Sequence, residues 1–379
     1  MRTPSGVPVR AHRPSIELLE PRQLMSSTST FYNQVNLVSD NGAPGSRNNP
    51  NLVNGWGLAH TAAGPWWVSS ADKGLSIEYD GAGGQTEADV IIPPAAGQTD
   101  GSPTGASGND SSAFAISANG RSAPSLYVFT TEDGTISGWN PNVDVTHAVK
   151  VVDNSASGAV YKGGAIAFRK HHALFYAADF HNGKVDAFDA NFQPLNLPAG
   201  AFTDSHLPAG YAPFNVANVN GNLFVTYALQ DADAHDDVGG PRHGFVDVFT
   251  TAGSLVRRFA SRGSLDSPWG IAVAPSGFGL FSGDILIGNF GNGKISAFNA
   301  KGRFEGFLTG SDGNAVEIPG LWGLGFGNDA QAGPSTTLYF AAGPDDESHG
   351  LFGTLTPGKH RHTITAATGG TTGSGGFQY

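Results

Sequence analysis

The chain has 379 residues, 54 glycines, no cysteine and a formal net charge of -11. The absence of thiols excludes disulfides, zinc–thiolate sites and thiol catalysis. The acidity argues against nucleic acid, whose phosphates need clustered Lys and Arg, and no apolar run reaches the ~18 residues of a membrane span.

Residues 1–30 read as a leader, basic at Arg2, Arg10, Arg13 and Arg22 and without the apolar core of a secretory signal. Within it, Leu19-Glu20-Pro21-Arg22 followed by Leu24 and Met25 resembles the LEPR-XLL motif of planctomycete exported proteins. That resemblance implies a cell-envelope or extracellular address. Read from composition alone, the stretch is a disordered tail.

From residue 31 onward two elements recur. One is a glycine followed five positions later by a bulky residue: Gly74 and Tyr79, Gly134 and Trp139, Gly183 and Phe188, Gly244 and Phe249, Gly293 and Phe298, Gly350 and Leu355. The other is an apolar–small pair upstream: Leu58-Ala59, Ile116-Ser117, Ile166-Ala167, Val216-Ala217, Ile271-Ala272 and Leu324-Gly325. A period of roughly 50 residues built from short alternating strands predicts propeller blades. The expected fold is therefore all-β: a six-bladed β-propeller of four-stranded blades over residues 31–357.

In chain order, residues 33–39 should close the ring as the outer strand of blade six. Blade one should use 57–60, 66–69, 75–79 and 89–92. The next four outer strands should lie near 148–153, 201–205, 254–260 and 303–309. Blade six should use 322–326, 337–342 and 351–355, and a run at 363–365 competes for its edge. Residues 358–379 form a Gly/Thr/Ser-rich tail, expected to be flexible. The repeated bulky residue after each glycine should pack between neighbouring blades.

Antiparallel order puts the loop entering each inner strand and the loop between strands two and three on one face, called here the top. Two residue sets share that rim. Trp56, Phe114, Phe214, Trp269 and Trp322 precede the inner-strand pairs, with Gly164 as the exception. They can ring the channel mouth and stack on a sugar or amine, or wedge between inner strands out of reach. The second set is acidic. Asp231, Asp233, His235, Asp236 and Asp237 lie in the blade-four loop, and Asp345, Asp346, Glu347 and His349 in the blade-six loop. Massed carboxylates suit calcium, and His235 and His349 would add transition-metal ligands. The blade-four run lacks the oxygen ligand and glycine spacing of an EF-hand, and a solvated acidic rim needs no metal. No nucleophile elbow, zincin motif or phosphate loop is present.

Ser267-Pro268-Trp269-Gly270-Ile271-Ala272-Val273 and Gly293-Lys294-Ile295-Ser296-Ala297-Phe298 resemble an NHL repeat. Longer phrases, including 36–40, 50–54, 230–237, 244–249, 320–324 and 349–353, resemble an uncharacterised bacterial family of six-bladed propellers, many sorted by a C-terminal PEP-CTERM signal. Gly55 stands where that family has proline, and the sorting signal is missing, so the leader is expected to carry the address. The resemblance implies a propeller and export but no activity. Calcium-dependent lactonases of the gluconolactonase type share the fold, but place Asn or Glu where Trp and Phe stand here. The expectation is a monomeric binding or scaffold module for a protein or glycan ligand, with calcium as the one cofactor to consider. The alternative is a metal-dependent hydrolase or lyase.

Overall fold

The computed structural model describes residues 30–359. The leader motif, the run at 363–365 and the tail beyond residue 359 lie outside the described residues. Six sheets follow one another along the chain, antiparallel except where Arg47–Asn48 adds a short parallel strand to the outer edge of the sixth, and no α-helix occurs among the described residues. Blade one is Gly55–Ala59, Trp66–Ser70, Leu75–Tyr79 and Val90–Ile91. Blade two is Pro103–Gly108, Tyr127–Thr131, Thr135–Trp139 and Val149–Asp153. Blade three is Tyr161–Arg169, His172–Asp179 and Lys184–Phe188. Blade four is Tyr211–Val219, Asn222–Leu229, Phe245–Phe249 and Leu255–Ser261. Blade five is Pro268–Val273, Ile285–Asn289, Ile295–Phe298 and Phe304–Phe307. Blade six joins Leu321–Phe326, Leu338–Ala342 and Leu351–Lys359 to Thr30–Ser39, which closes the ring as expected.

The repeated glycine works through its backbone. Gly74 and Gly134, at the turn into the third strand, have φ of 63° and 80°, a conformation only glycine adopts cheaply. The bulky residue five positions on is buried in every blade. Trp139 of blade two packs on Trp67 of blade one at 4.5 Å between ring centroids, and Tyr79 of blade one on Phe352 of blade six at 5.4 Å. These rings fill the wedge that opens between radially arranged sheets.

Two expectations fail. The inner strand of blade two is Pro103–Gly108, not the segment around Ile116. Ile116 belongs to a separate hairpin, Ala115–Ala118 with Arg121–Pro124, closed by an Asn119-Gly120 turn that supplies its own pairing. The outer strand expected at 201–205 does not form. Blade three ends in a stub in which Pro194 bridges Phe188 and the Leu195 amide bonds Ala187. Pro194 and Pro198 have no N–H to extend it.

Each inner strand carries a β-bulge at the same height. In blades three and four the surplus residues are Lys162 and Phe214. In the others two residues face one: Trp56-Gly57, Thr104-Gly105, Trp269-Gly270 and Trp322-Gly323. The glycine is steric here. A Cβ on Gly57 would lie 2.2 Å from the Thr104 carbonyl oxygen, and one on Gly270 2.5 Å from that of Trp322. Neighbouring inner strands thus touch backbone to backbone, and the bulge residue is re-aimed.

Candidate functional site

The six bulge residues are Trp56, Thr104, Lys162, Phe214, Trp269 and Trp322. Two differ from the sequence expectation. Phe114 lies elsewhere, against Phe192 at 5.2 Å between centroids, and Gly164 is two residues past the true equivalent, Lys162.

The four expected aromatics meet in one cluster. Trp56 stacks on Trp322 at 3.7 Å, Phe290 stacks on Trp322's ring at 3.9 Å, and Trp269 stands edge-on to Trp322 at 5.8 Å. Phe214 completes the group at 5.6 Å from Trp322. All four are at most 5% exposed. The rings form a plug across the channel, not an open collar. Trp322 Nε1 donates to Asn54 Oδ1 at 3.1 Å and Trp269 Nε1 to the Lys162 carbonyl at 2.9 Å, so the plug is hydrogen-bonded to the blade-three inner strand and to the residue just ahead of the blade-one inner strand.

Lys162 is the exception in this apolar layer, with its side chain 2% exposed. Its ammonium lies 5.3 Å over the Trp56 ring. It donates to Glu132, on the loop between the second and third strands of blade two, and at 2.8 Å to Asp236 of the blade-four loop. Burial opposes the charge, but the two carboxylates outweigh it and hold the lysine pKa above its usual value. Burial likewise opposes ionisation of Asp236, yet Lys162 and His235 bring its pKa below the usual carboxylate range. His235 Nδ1 lies 3.1 Å from the same Asp236 oxygen.

The blade-six loop reaches the same face. Glu347 accepts from Asn54 Nδ2 at 2.9 Å, and Asp72 Oδ1 lies 3.4 Å from that nitrogen. Burial pushes Glu347 up to about 7, with the Glu132 carboxylate adding repulsion. Burial also raises Asp237 to about 6. Asp345, Asp346 and Glu347 are consecutive left-handed residues, with φ of 57°, 52° and 65°. Asp237, Asp345 and Asp346 line one cleft of about 600 Å3, with Glu317 and Phe290. The acidic loops of blades four and six therefore share a surface.

The remaining candidates do other work. Asp231 accepts the His235 amide at 2.9 Å and shapes its own turn, and Asp233 is exposed. His349 Nδ1 bonds Asp40 at 2.8 Å, and Asp40 also accepts the Gly350 amide, so this pair pins the closing strand. Among the described residues, ligand-type atoms converge at Glu132, His235 and Asp236, all within 4.8 Å of one another. One imidazole and two carboxylates suit a transition ion better than calcium, which takes six to eight oxygens. The Lys162 ammonium already sits on both carboxylates. Lys162, Glu132 and Asn54 are the residues that sequence reasoning missed. For Lys162 the signal was the following Gly163, matching Trp56-Gly57 and Trp322-Gly323.

No protein-family model matches the chain. Among solved structures, a Bacteroides thetaiotaomicron protein of unknown function superposes with a TM-score of 0.53 at 9% identity, covering 88% of this chain and 77% of that one. Virginiamycin B lyase from Staphylococcus aureus gives 0.45 at 12% identity, over 86% and 99%. Such likenesses concern the fold alone. Sequence relatives are nearer. Uncharacterized protein R648 of Acanthamoeba polyphaga mimivirus is 30% identical over 361 residues, covering 93% of this chain and 86% of its own length. Uncharacterized protein L690 of the same virus is 31% identical over 353 residues, 90% and 89% respectively. At that identity across nearly the full length, the chain belongs to one family of six-bladed propellers with these two mimivirus proteins.

Proposed function

We propose that the chain is a non-catalytic binding or scaffold propeller that recognises a protein or glycan partner through its top face. One observation carries this reading. Acidic loops from blades four and six meet on one surface, while the aromatic layer beneath them is packed shut. The cleft between those loops is floored by Phe290, which stacks on the packed aromatic layer, and an acidic surface that does not lead into the channel suits docking better than substrate entry. The LEPR-XLL-like stretch and the resemblance to NHL-like, PEP-CTERM-sorted bacterial propellers support an exported or cell-envelope location. Fractionation of the native host with an antibody to the chain tests that location.

Calcium is part of this reading only as a ligand of the exposed Asp345 and Asp346 rim. Calorimetric titration with calcium and with zinc tests it, and a glycan array tests for sugar recognition. A second reading, a metal-dependent hydrolase or lyase, draws support from the Glu132–His235–Asp236 group. An assay on a lactone and ester panel with added zinc separates the two. Metal-dependent turnover that Asp236→Ala abolishes would reject the scaffold reading.

A further inference from the structure

The interface between blades one and two carries a charge that the other interfaces lack. The bulky residue after each repeated glycine faces the preceding blade, so the residue just before it faces the following one. That residue is Gly138, Ala187, Val248, Ala297 and Thr354 in blades two to six, but Glu78 in blade one. Glu78 pairs directly with Trp67 across the sheet, and both side chains leave the same face. Opposite them stands the cross-strand pair Tyr127 and Trp139 of blade two. Trp67 lies 4.5 Å from Trp139 and 5.3 Å from Tyr127 between ring centroids.

A cleft of about 630 Å3 opens between these two pairs, and all four residues line it. Asp80 and Glu87 line it too, while no Lys, Arg or His does. Its loops, 61–65 and 80–87, join strand one to two and strand three to four of blade one. It therefore opens on the face opposite the acidic rim. Glu78 is only 4% exposed. Thr86 Oγ1 donates to its Oε1. Glu78, Asp80 and Glu87 form no ion pair among the described residues. Burial raises the Glu78 pKa against the Thr86 bond, and Glu87 and Asp80 add repulsion. A second group is also unmet. Trp139 is 5% exposed, and its indole N–H is buried with no hydrogen-bond partner among the described residues.

These two needs define the occupant. A buried carboxylate without a cation and a buried donor without an acceptor are both costly. Aromatic walls favour a guanidinium over an ammonium, because it is flat, weakly hydrated and stacks on rings. The acceptor for the indole is what a peptide carbonyl supplies. A free amino acid would instead bring its carboxylate against Asp80 and Glu87, a like-charge contact. The cleft falls within the roughly 300–1,000 Å3 of ligand pockets, room for one long side chain and flanking backbone.

We propose that this cleft binds an arginine side chain presented by a partner peptide, its guanidinium on Glu78 and a neighbouring carbonyl on the Trp139 indole. The site stands apart from the acidic face and does not depend on that face docking a partner. The probe is the blocked tripeptide acetyl-Ala-Arg-Ala-amide, titrated calorimetrically into the full chain. Saturable one-to-one binding is expected. The same peptide with neutral citrulline in place of arginine should bind about tenfold more weakly. Glu78→Gln should weaken the arginine peptide about tenfold and raise the melting temperature, since it removes a buried charge that has no cation. No saturable binding, or equal binding of the citrulline peptide by the parent chain, overturns the proposal without any variant. Weakening by Asp345→Asn instead of by Glu78→Gln assigns the peptide to the acidic face and overturns the cleft. A lysine peptide that binds as tightly overturns the guanidinium assignment, and methylguanidinium that binds as tightly overturns the peptide assignment.

Discussion

Lys162 and Asp236, 74 positions apart in sequence, are joined by a 2.8 Å hydrogen bond that ties blade three to the acidic loop of blade four. The lysine's stem lies in the aromatic plug, while its charge meets carboxylates at the plug's upper surface.

Replacing Lys162 with Met removes the cation and leaves Glu132 and Asp236 facing each other. Breaking a fully buried pair costs about 3–5 kcal/mol. Asp236 is 64% exposed, so solvent screening should reduce the loss to about 2 kcal/mol. A lower urea midpoint at constant m-value checks it. The same variant should bind zinc more tightly than the parent by calorimetry, since the Glu132–His235–Asp236 group would lose its competing ammonium.

Glu347 and Asp237 set a pH dependence of definite sign. Their folded-state pKa values, about 7 and about 6, lie above the ordinary 4.5 and 3.8. The folded chain therefore holds protons that the unfolded chain releases, and this stabilisation is complete only below those ordinary values. It is lost as pH rises through about 6 for Asp237 and about 7 for Glu347. Asp236, with a lowered pKa, contributes oppositely and loses its share as pH falls. Glu347→Gln should remove roughly 1–2 kcal/mol of the decline between about pH 4.5 and 7, about half the full conversion because the group is partly solvated. Denaturation midpoints across that window are the measurement.

Trp322 stacks on both Trp56 and Phe290. Trp322→Ala should cost about 3–5 kcal/mol, and Trp322→Phe clearly less. Thermal unfolding of the two variants tests the ranking.

Lys170→Asn with His171→Gly relieves two left-handed non-glycine residues, with φ of 50° and 74°, in the blade-three hairpin. A gain of about 1–2 kcal/mol is expected, read as a higher melting temperature.

The blade count was legible because turn glycines and inter-blade aromatics are local features with fixed spacing. The inner strand of blade two was not, because Ile116-Ser117 copies the local pattern while pairing inside its own hairpin. Only long-range pairing with Tyr127–Thr131 selects Pro103–Gly108 instead. The same cause hid Lys162. Anchoring blade three on Ile166-Ala167 displaced the register by two residues, and the bulge that defines the equivalent position is a property of two paired strands. On the acidic face, the residues were visible but their division of labour was not. Whether Asp231 shapes a turn or His349 grips Asp40 is decided by backbone placement, which the composition of a loop does not encode.

The strand at residues 30–39 emerges from the ribosome before any other described strand, yet its partner at 351–359 is the last described strand to be made. Arg47–Asn48 can pair with one of its edges at once, but the edge that faces 351–359 must wait, and blade six is assembled in one late, non-local step. That places the slowest event of folding at the seam, where loop-closure entropy is greatest, and leaves the nascent chain open to intermolecular pairing until residues 351–359 have been made.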